Sequence, residues 1–289
     1  SSSDLDLADR DSVLSAITSV APDVVVSAGA WTAVDACESD PDKAWRVNAL
    51  GPRHVVDAAS RVGAHVLHLS TDYVFDGTKL DPYVEWDRTN PQSAYGRSKL
   101  GGEVEVLALP GAAVVRTAWV CGEHGNNMVK TVLKLAERPE LAFVDDQRGS
   151  PTFTADLAVA VRRLAVERRP GVFHVTNQGQ VSWYEFVQAI LESAGHDPAK
   201  VRPIKTDDLD PPRPAPRPAN SVLDNAALRL SDLPLGRSDD GANVGSGRQS
   251  LPHVQPPPTG LSVIGHRIRT NVRPALATIG RWALIGIVA

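Results

Sequence analysis

The 289-residue sequence predicts an α/β protein, a doubly wound parallel sheet followed by a smaller C-terminal lobe. Three observations carry that prediction. Residues 23–27 (Asp-Val-Val-Val-Ser) form a short β-branched run between Pro22 and Gly29, as suits a strand buried on both faces. Helical apolar spacing over 13–20 precedes that run. Similar spacing over 44–62, stopped by Gly63, separates it from a second strand at 65–69. The alternation then continues with a helix over 98–109, a strand over 112–120, a helix over 129–137 and a strand over 141–144. Such alternation requires right-handed crossovers onto one sheet.

The rest of the chain is less regular. Residues 154–167 read as a helix with an apolar stripe of Leu157, Ala158, Val161 and Leu164, and 172–175 as a strand. Ser182 is the expected N-cap of a helix over 183–194, with Glu185 completing a capping box. This strand and this helix are assigned to the smaller lobe. The run Pro-Pro-Arg-Pro-Ala-Pro-Arg-Pro over 211–218 must be extended, because each proline biases its predecessor away from the helical region. Beyond Leu235, Gly, Ser, Pro and Arg dominate and periodicity is lost, so 236–289 is expected to be disordered, its apolar end over 282–289 being too short to span a bilayer.

Composition narrows the partners. With 42% apolar and 22% charged residues the chain buries a sizeable core, and a formal charge of −4 gives no general attraction to nucleic acid or anionic lipid. No signal-peptide pattern opens the chain, and no run approaches the roughly 18 apolar residues of a membrane span. Cys37 and Cys121 lack metal-ligand spacing and read as thiols of a reducing compartment. The expectation is a cytoplasmic protein with a small-molecule partner, no nucleic acid or membrane partner and no metal. Oligomeric state stays open, a homodimer being compatible with the sequence.

Two patterns carry chemistry. Tyr95 and Lys99 sit four residues apart near a helix start, hence on one face. A lysine ammonium beside a phenol favours the phenolate and tunes the tyrosine as a general acid. Ser70 and Thr71 follow the strand at 65–69, and ligands of open parallel sheets bind beyond the carboxyl ends of strands. A strand-end turn is the plainer explanation of those hydroxyls when Tyr95 is left aside.

Ser-Thr-Asp-Tyr-Val-Phe-Asp-Gly at 70–77, Tyr-Gly-Arg-Ser-Lys-Leu at 95–100 and Arg-Thr-Ala-Trp-Val at 116–120 resemble the bacterial dTDP-4-dehydrorhamnose reductases, extended short-chain dehydrogenases. The likeness continues through Ala-Trp-Thr-Ala-Val-Asp at 30–35, Asn-Ala-Leu-Gly at 48–51, Gly-Asn-Asn at 125–127, Asp-Gln-Arg-Gly-Ser-Pro-Thr at 146–152, Ser-Trp-Tyr-Glu-Phe at 182–186 and Arg-Pro-Ala-Asn-Ser at 217–221. It spans about residues 4–235. Ordered motifs of this number are far more specific than any one of them.

The resemblance implies a Rossmann-like fold and an NAD(P)H-dependent reduction of the C4 keto group of dTDP-4-dehydro-L-rhamnose to dTDP-L-rhamnose, with NADPH or NADH as cofactor. It assigns catalysis to Tyr95, Lys99 and Thr71: Tyr95 as proton donor, Lys99 on the nicotinamide ribose and Thr71 polarising the carbonyl. Ala28, Gly29, Ala30, Thr32, Asn48 and Leu69 are expected with Tyr95 and Lys99 at the cofactor. Asp72, Trp119 and Arg217 are expected with Thr71 at the substrate. Trp119 is also readable as a core residue, Asn48 as a helix-surface amide, and Arg213 and Arg217 as solvated loop arginines. The implied division is 1–115 for dinucleotide binding, with 141–170 returning to it, and 116–235 as mostly substrate lobe.

The chain departs from the family at both ends. Family members open with a strand and a glycine-rich turn that sets a helix N-terminus against the pyrophosphate. The chain starts Ser1-Ser2-Ser3 without such a turn, so the first βαβ unit is expected to be missing, with weakened folding and cofactor binding, and with it the residues that discriminate NADPH from NADH. After 230–235 an amphipathic helix is expected, yet the chain reads Gly-Arg-Ser-Asp-Asp-Gly, the kind of switch a reading-frame change produces. Two other functions stay open: a nucleotide-sugar epimerase or dehydratase, opposed by Tyr73 following Asp72 where dehydratases place a second acid, and a catalytically dead binding or regulatory subunit of the same fold.

Overall fold

The computed structural model describes residues 5–231 and, as backbone, 282–285. Asp9 caps α1 (Arg10–Val20) by accepting from the amides of Asp11 and Ser12. Then β1 (Val24–Ser27), α2 (Val34–Ser39) and α3 (Pro41–Trp45) lead into a π-helical turn at Arg46–Leu50 and α4 (Gly51–Val62). The single helix expected over 44–62 is therefore interrupted, and the buried side chain of Asn48 lies in the widened turn.

The second strand, β2, runs His65–Thr71, two residues beyond expectation, so Thr71 is its last residue. The helix expected to begin at Ser98 starts earlier, as α5 (Ala94–Leu107), because the Ser93 hydroxyl accepts from the Gly96 amide and fixes the first turn. After it, β3 (Ala113–Thr117) and β4 (Val120–Cys121) divide the strand expected over 112–120, since Trp119 has φ 46° and cannot continue a strand.

Next come α6 (Met128–Leu135), β5 (Leu141–Val144), β6 (Arg148–Gly149), β7 (Thr152–Phe153), α7 (Thr154–Val166), β8 (Gly171–His174) and β9 (Val181–Ser182). The capping box of Ser182 and Glu185 opens α8 (Trp183–Ser193) as expected. The described elements end with β10 (Val201–Ile204), α9 (Ala226–Leu230) and β11 (Trp282–Ile285).

A five-stranded sheet has the order β11-β1-β2-β3-β8 with every pairing parallel. Alternate residues go to opposite faces. Val25, Val66 and Val114 pack with Val13, Ile17, Val55 and Ala59 of α1 and α4. Val24, Val26, Leu67 and Val115 pack with Leu157, Ala160 and Leu164 of α7. Both faces are covered by helices, which is why the strands read as continuous apolar runs. A third cluster, built on Val132, Leu141, Phe186, Ile190 and Val201, forms the core of α6, α8, β5 and β10.

Four further expectations change. Leu141–Val144 does not return to the large sheet but pairs with Val201–Ile204, and the chain rejoins the large sheet only through α7 and β8. Conversely the strand expected at 172–175 lies in the large sheet beside β3, not in the smaller lobe, because its apolar residues complete the face under α7. On α7 Ala158 is exposed and Ala160 buried, which places the stripe over Leu157, Ala160 and Leu164. Of the tail expected to be disordered, 282–285 is a strand, added where the edge of β1 offers unpaired backbone donors and acceptors. The remainder of that tail lies outside the described residues.

Helix α5 lies unusually close to its neighbours because it carries glycine where they touch. A Cβ on Gly102 would overlap the carbonyl oxygen of Asn48. Gly102→Ala should push α5 from the π-turn and lower unfolding stability by about 1–3 kcal/mol, measured by urea titration, since a backbone carbonyl cannot rotate away as a side chain can. An unchanged midpoint would show that the turn yields freely.

Candidate active site

The carboxyl ends of β2 and β3 and the first turns of α5 bring together Leu69, Thr71, Asp72, Tyr95 and Lys99. Thr71 and Thr117 are register partners at the ends of their strands. Tyr95, Lys99 and Glu103 recur every four residues on the buried face of α5, so all three are aimed at the sheet.

Tyr95 is buried, and its phenol is hydrogen-bonded to Thr71. Thr71 Oγ1 also donates to Asp72 Oδ1 at 3.0 Å, which links the phenol to the carboxyl. Burial pushes the Tyr95 pKa well above the ordinary phenol value, the Thr71 hydrogen bond opposing it. Lys99 Nζ donates to the Leu69 carbonyl at 2.7 Å and to His68 Nε2 at 3.1 Å, and burial dominates the net shift of the phenol. The expected net lowering of the phenol gives way to a net rise, because burial is the largest influence on it. Burial lowers Lys99 itself to about 8, with the charge of Glu103 opposing the fall.

Asp72 is 2% exposed, and burial raises its carboxyl to about 6 against the hydrogen bonds of Ser221 and Thr71. Its Oδ2 makes no well-formed hydrogen bond, and neither does the buried Thr117 Oγ1. Both atoms are buried near the ends of neighbouring strands, where an unmade hydrogen bond costs most.

The loop after β1 carries Ala28, Gly29, Ala30 and Thr32, with Gly29 and Ala30 buried and Thr32 exposed. Asn48 holds this loop. Its Oδ1 accepts from the Trp31 amide at 2.8 Å, while Nδ2 donates to the Trp31 carbonyl and to Ser98 Oγ, both at 3.0 Å. Those bonds occupy the amide, and the side chain is fully buried, so Asn48 is neither a surface amide nor a free ligand group. It fixes the backbone of the loop after β1.

Trp119 is half-buried and stacked on Trp183 at 3.5 Å between centroids and 8° between planes, and Gly149 leaves room for its ring. Arg217 Nη1 and Nη2 donate to the two Asp35 oxygens at 2.5 and 2.9 Å, and Arg213 lies 3.4 Å from the same carboxylate. The pair lowers Asp35 below the usual carboxylate range, Arg217 foremost. Arg213 and Arg217 share a cavity of about 280 Å³ with Tyr73, Phe143, Gln147 and Trp183. Tyr73 in turn packs edge-on against Tyr95, ring centroids 5.6 Å apart, which joins that cavity to the phenol.

Sequence reasoning missed His68, Glu103, Tyr73 and Asp35. Only Glu103 carried a signal, standing four residues beyond Lys99 on the same helix face. Among the described residues no cluster of His, Cys, Asp and Glu has metal-binding geometry, and no helix is long and apolar enough to cross a membrane.

Comparison with known proteins agrees with this architecture. The RmlD substrate binding domain family matches residues 1–235. The dTDP-4-dehydrorhamnose reductase of Mycobacterium tuberculosis H37Rv is 46% identical over 219 residues, covering 73% of this chain and 71% of that protein. Among solved structures, the reductase of Clostridium acetobutylicum is 45% identical with a TM-score of 0.77, covering 80% of this chain and 82% of that one. The Bacillus anthracis reductase, solved in complex with NADP, is 37% identical with a TM-score of 0.76 over the same shares. By both sequence and fold, the chain belongs to the dTDP-4-dehydrorhamnose reductase family.

Proposed function

We propose that this protein is an oxidoreductase that reduces the C4 keto group of dTDP-4-dehydro-L-rhamnose to dTDP-L-rhamnose with NADPH or NADH. The observation that carries this reading is the buried Tyr95–Thr71–Asp72 hydrogen-bond chain beside Lys99 at the carboxyl ends of parallel strands. The residues present fit a reduced dinucleotide. Lys99 has one N–H beyond the two already bonded, Thr117 Oγ1 lacks a partner, and small residues line the loop after β1. Lys99 and that loop, from Ala28 to Thr32, would hold the group, which supplies the hydride.

The chain's own residues handle the proton. Tyr95 is held as neutral phenol by its burial, so it is loaded to protonate the alkoxide that hydride addition creates at C4. The Tyr95 hydroxyl donates to the carbonyl oxygen, and Thr71, bonded to both the phenol and Asp72, holds its direction, a preorganised polar site in low dielectric. Arg213 and Arg217 face the neighbouring cavity and offer positive charge to the substrate diphosphate, with Arg217 held flat by Asp35. Trp119, Trp183 and Phe143 supply an apolar wall for sugar and base. We also place the protein in the cytoplasm, consistent with two buried, unbridged cysteines, acting as a monomer or homodimer.

The test is NADPH and NADH oxidation at 340 nm with dTDP-4-dehydro-L-rhamnose. Substrate-dependent oxidation is the expected result. Dinucleotide binding without oxidation would move the protein to the binding-subunit alternative.

A further inference from the structure

The site leaves one buried titratable side chain unexplained. His68 lies in β2, fully buried, beside its β1 register partner Ser27. Its Nδ1 is 3.1 Å from Ser27 Oγ and its Nε2 is 3.1 Å from Lys99 Nζ. An ammonium has only donors, so Nε2 must be unprotonated and the ring proton must sit on Nδ1, donated to Ser27. One tautomer of a neutral imidazole satisfies all three groups. Gly102 keeps this face of α5 bare, a Cβ there lying 3.4 Å from His68 Nε2.

We infer that His68 is a positioning residue for Lys99: as a neutral Nδ1–H imidazole it accepts one ammonium N–H, and with the Leu69 carbonyl it fixes the direction of the remaining N–H. The inference rests on the proposed reductase reading and extends it to a residue that touches neither cofactor nor substrate. Leu69 alone would leave Lys99 free to rotate about one bond. The second acceptor removes that freedom and anchors the ammonium to β1, the strand that leads into the loop of Ala28 to Thr32. His68 is suited to this because burial and the neighbouring ammonium both hold its own pKa well below the ordinary imidazole value. It therefore stays an acceptor across the working range. Among the described residues the further charge acting on Lys99 is that of Glu103, one turn along its own helix and itself paired with Arg116 of β3, and it supports the ammonium.

Three measurements separate the proposal from its alternatives. In the whole chain, ¹⁵N spectra of the imidazole should show protonated Nδ1 and an unprotonated, hydrogen-bonded Nε2 from about pH 5 to 8, with no titration. A ring protonated at Nε2 would overturn the proposal, independently of any activity. His68→Met keeps the volume and removes the acceptor; dinucleotide affinity, read by fluorescence quenching without substrate, should fall about tenfold or more, because a hydrogen bond to a charged group is lost. In the same variant the alkaline limb of kcat should move down by about one pH unit, while KM for the sugar nucleotide changes little. His68→Gln, which can place an amide oxygen near the Nε2 position, should restore affinity and limb to within about threefold. A merely structural role would lower the thermal midpoint of His68→Met but leave its pH limb in place. That pattern, or equal loss in both variants, would sink the inference. If neither parent nor variants oxidise NADPH, the tautomer and affinity results still decide it.

Discussion

Tyr95→Phe should lower kcat by about two to four orders of magnitude, the range a positioned general acid contributes, with little change in KM for either substrate. The substitution removes one oxygen from a buried ring that keeps its edge-on contact with Tyr73. Thr71 Oγ1 still donates to Asp72, so no buried donor is stranded, and unfolding stability should change by no more than about 1 kcal/mol. Loss of turnover with an intact fold is the signature to look for at 340 nm. The pH profile of the parent follows from the same groups. Tyr95 is held protonated by burial, so the alkaline limb belongs to Lys99, whose ammonium is lost as pH rises through about 8. Activity should therefore plateau below that pH and decline above it. A Tyr95→Phe variant within tenfold of the parent would mean that solvent, not the phenol, supplies the proton.

The alternation of helix and strand and the Tyr95–Lys99 pair were legible because each is a local pattern, fixed by the periods of the backbone. What sequence could not supply was the order of strands. Residues 141–144 and 171–174 look equally strand-like, yet only the second completes the large sheet, a choice made by which partner edge and which helix face are free. The electrostatics of the pair were likewise out of reach. A lysine four residues from a tyrosine suggests that its charge sets the phenol, but in three dimensions burial is the largest influence and the net shift is upward, while the ammonium is held by Leu69 and His68. His68 gave no signal because alternation in a doubly buried strand does not separate a packing position from a polar contact across strands. Asn48 was found by resemblance, but its purpose, holding the backbone of Trp31, emerges only when residues 17 positions apart are brought together.

The largest stability effect should come from the charge pair that fastens α5 behind the site. Glu103 and Arg116 have side chains only 2% and 6% exposed, with Nη2 and Oε2 2.7 Å apart. Arg116 Nε also donates to Oε1 at 3.0 Å, and Ser70 Oγ to the same oxygen at 2.6 Å. Arg116 further lies over the ring of Phe75, 5.2 Å from its centroid. Removing the guanidinium in Arg116→Met leaves a buried carboxylate with Ser70 as its remaining side-chain donor, and breaking one half of a buried pair costs about 3–5 kcal/mol. Removing both charges is a different matter, since an apolar pair of similar volume needs no solvation. Glu103→Leu combined with Arg116→Met should therefore recover most of the loss, giving a strongly non-additive double-mutant cycle in urea unfolding. The cycle also separates two roles for the pair. If it only fastens α5 to β2 and β3, the double variant regains turnover along with stability. If the Glu103 charge is needed to keep Lys99 protonated, stability returns while the alkaline limb of kcat stays displaced to lower pH. A single Arg116→Met variant that loses less than about 1 kcal/mol would show that water reaches Glu103 and that the pair is not the clamp its burial indicates.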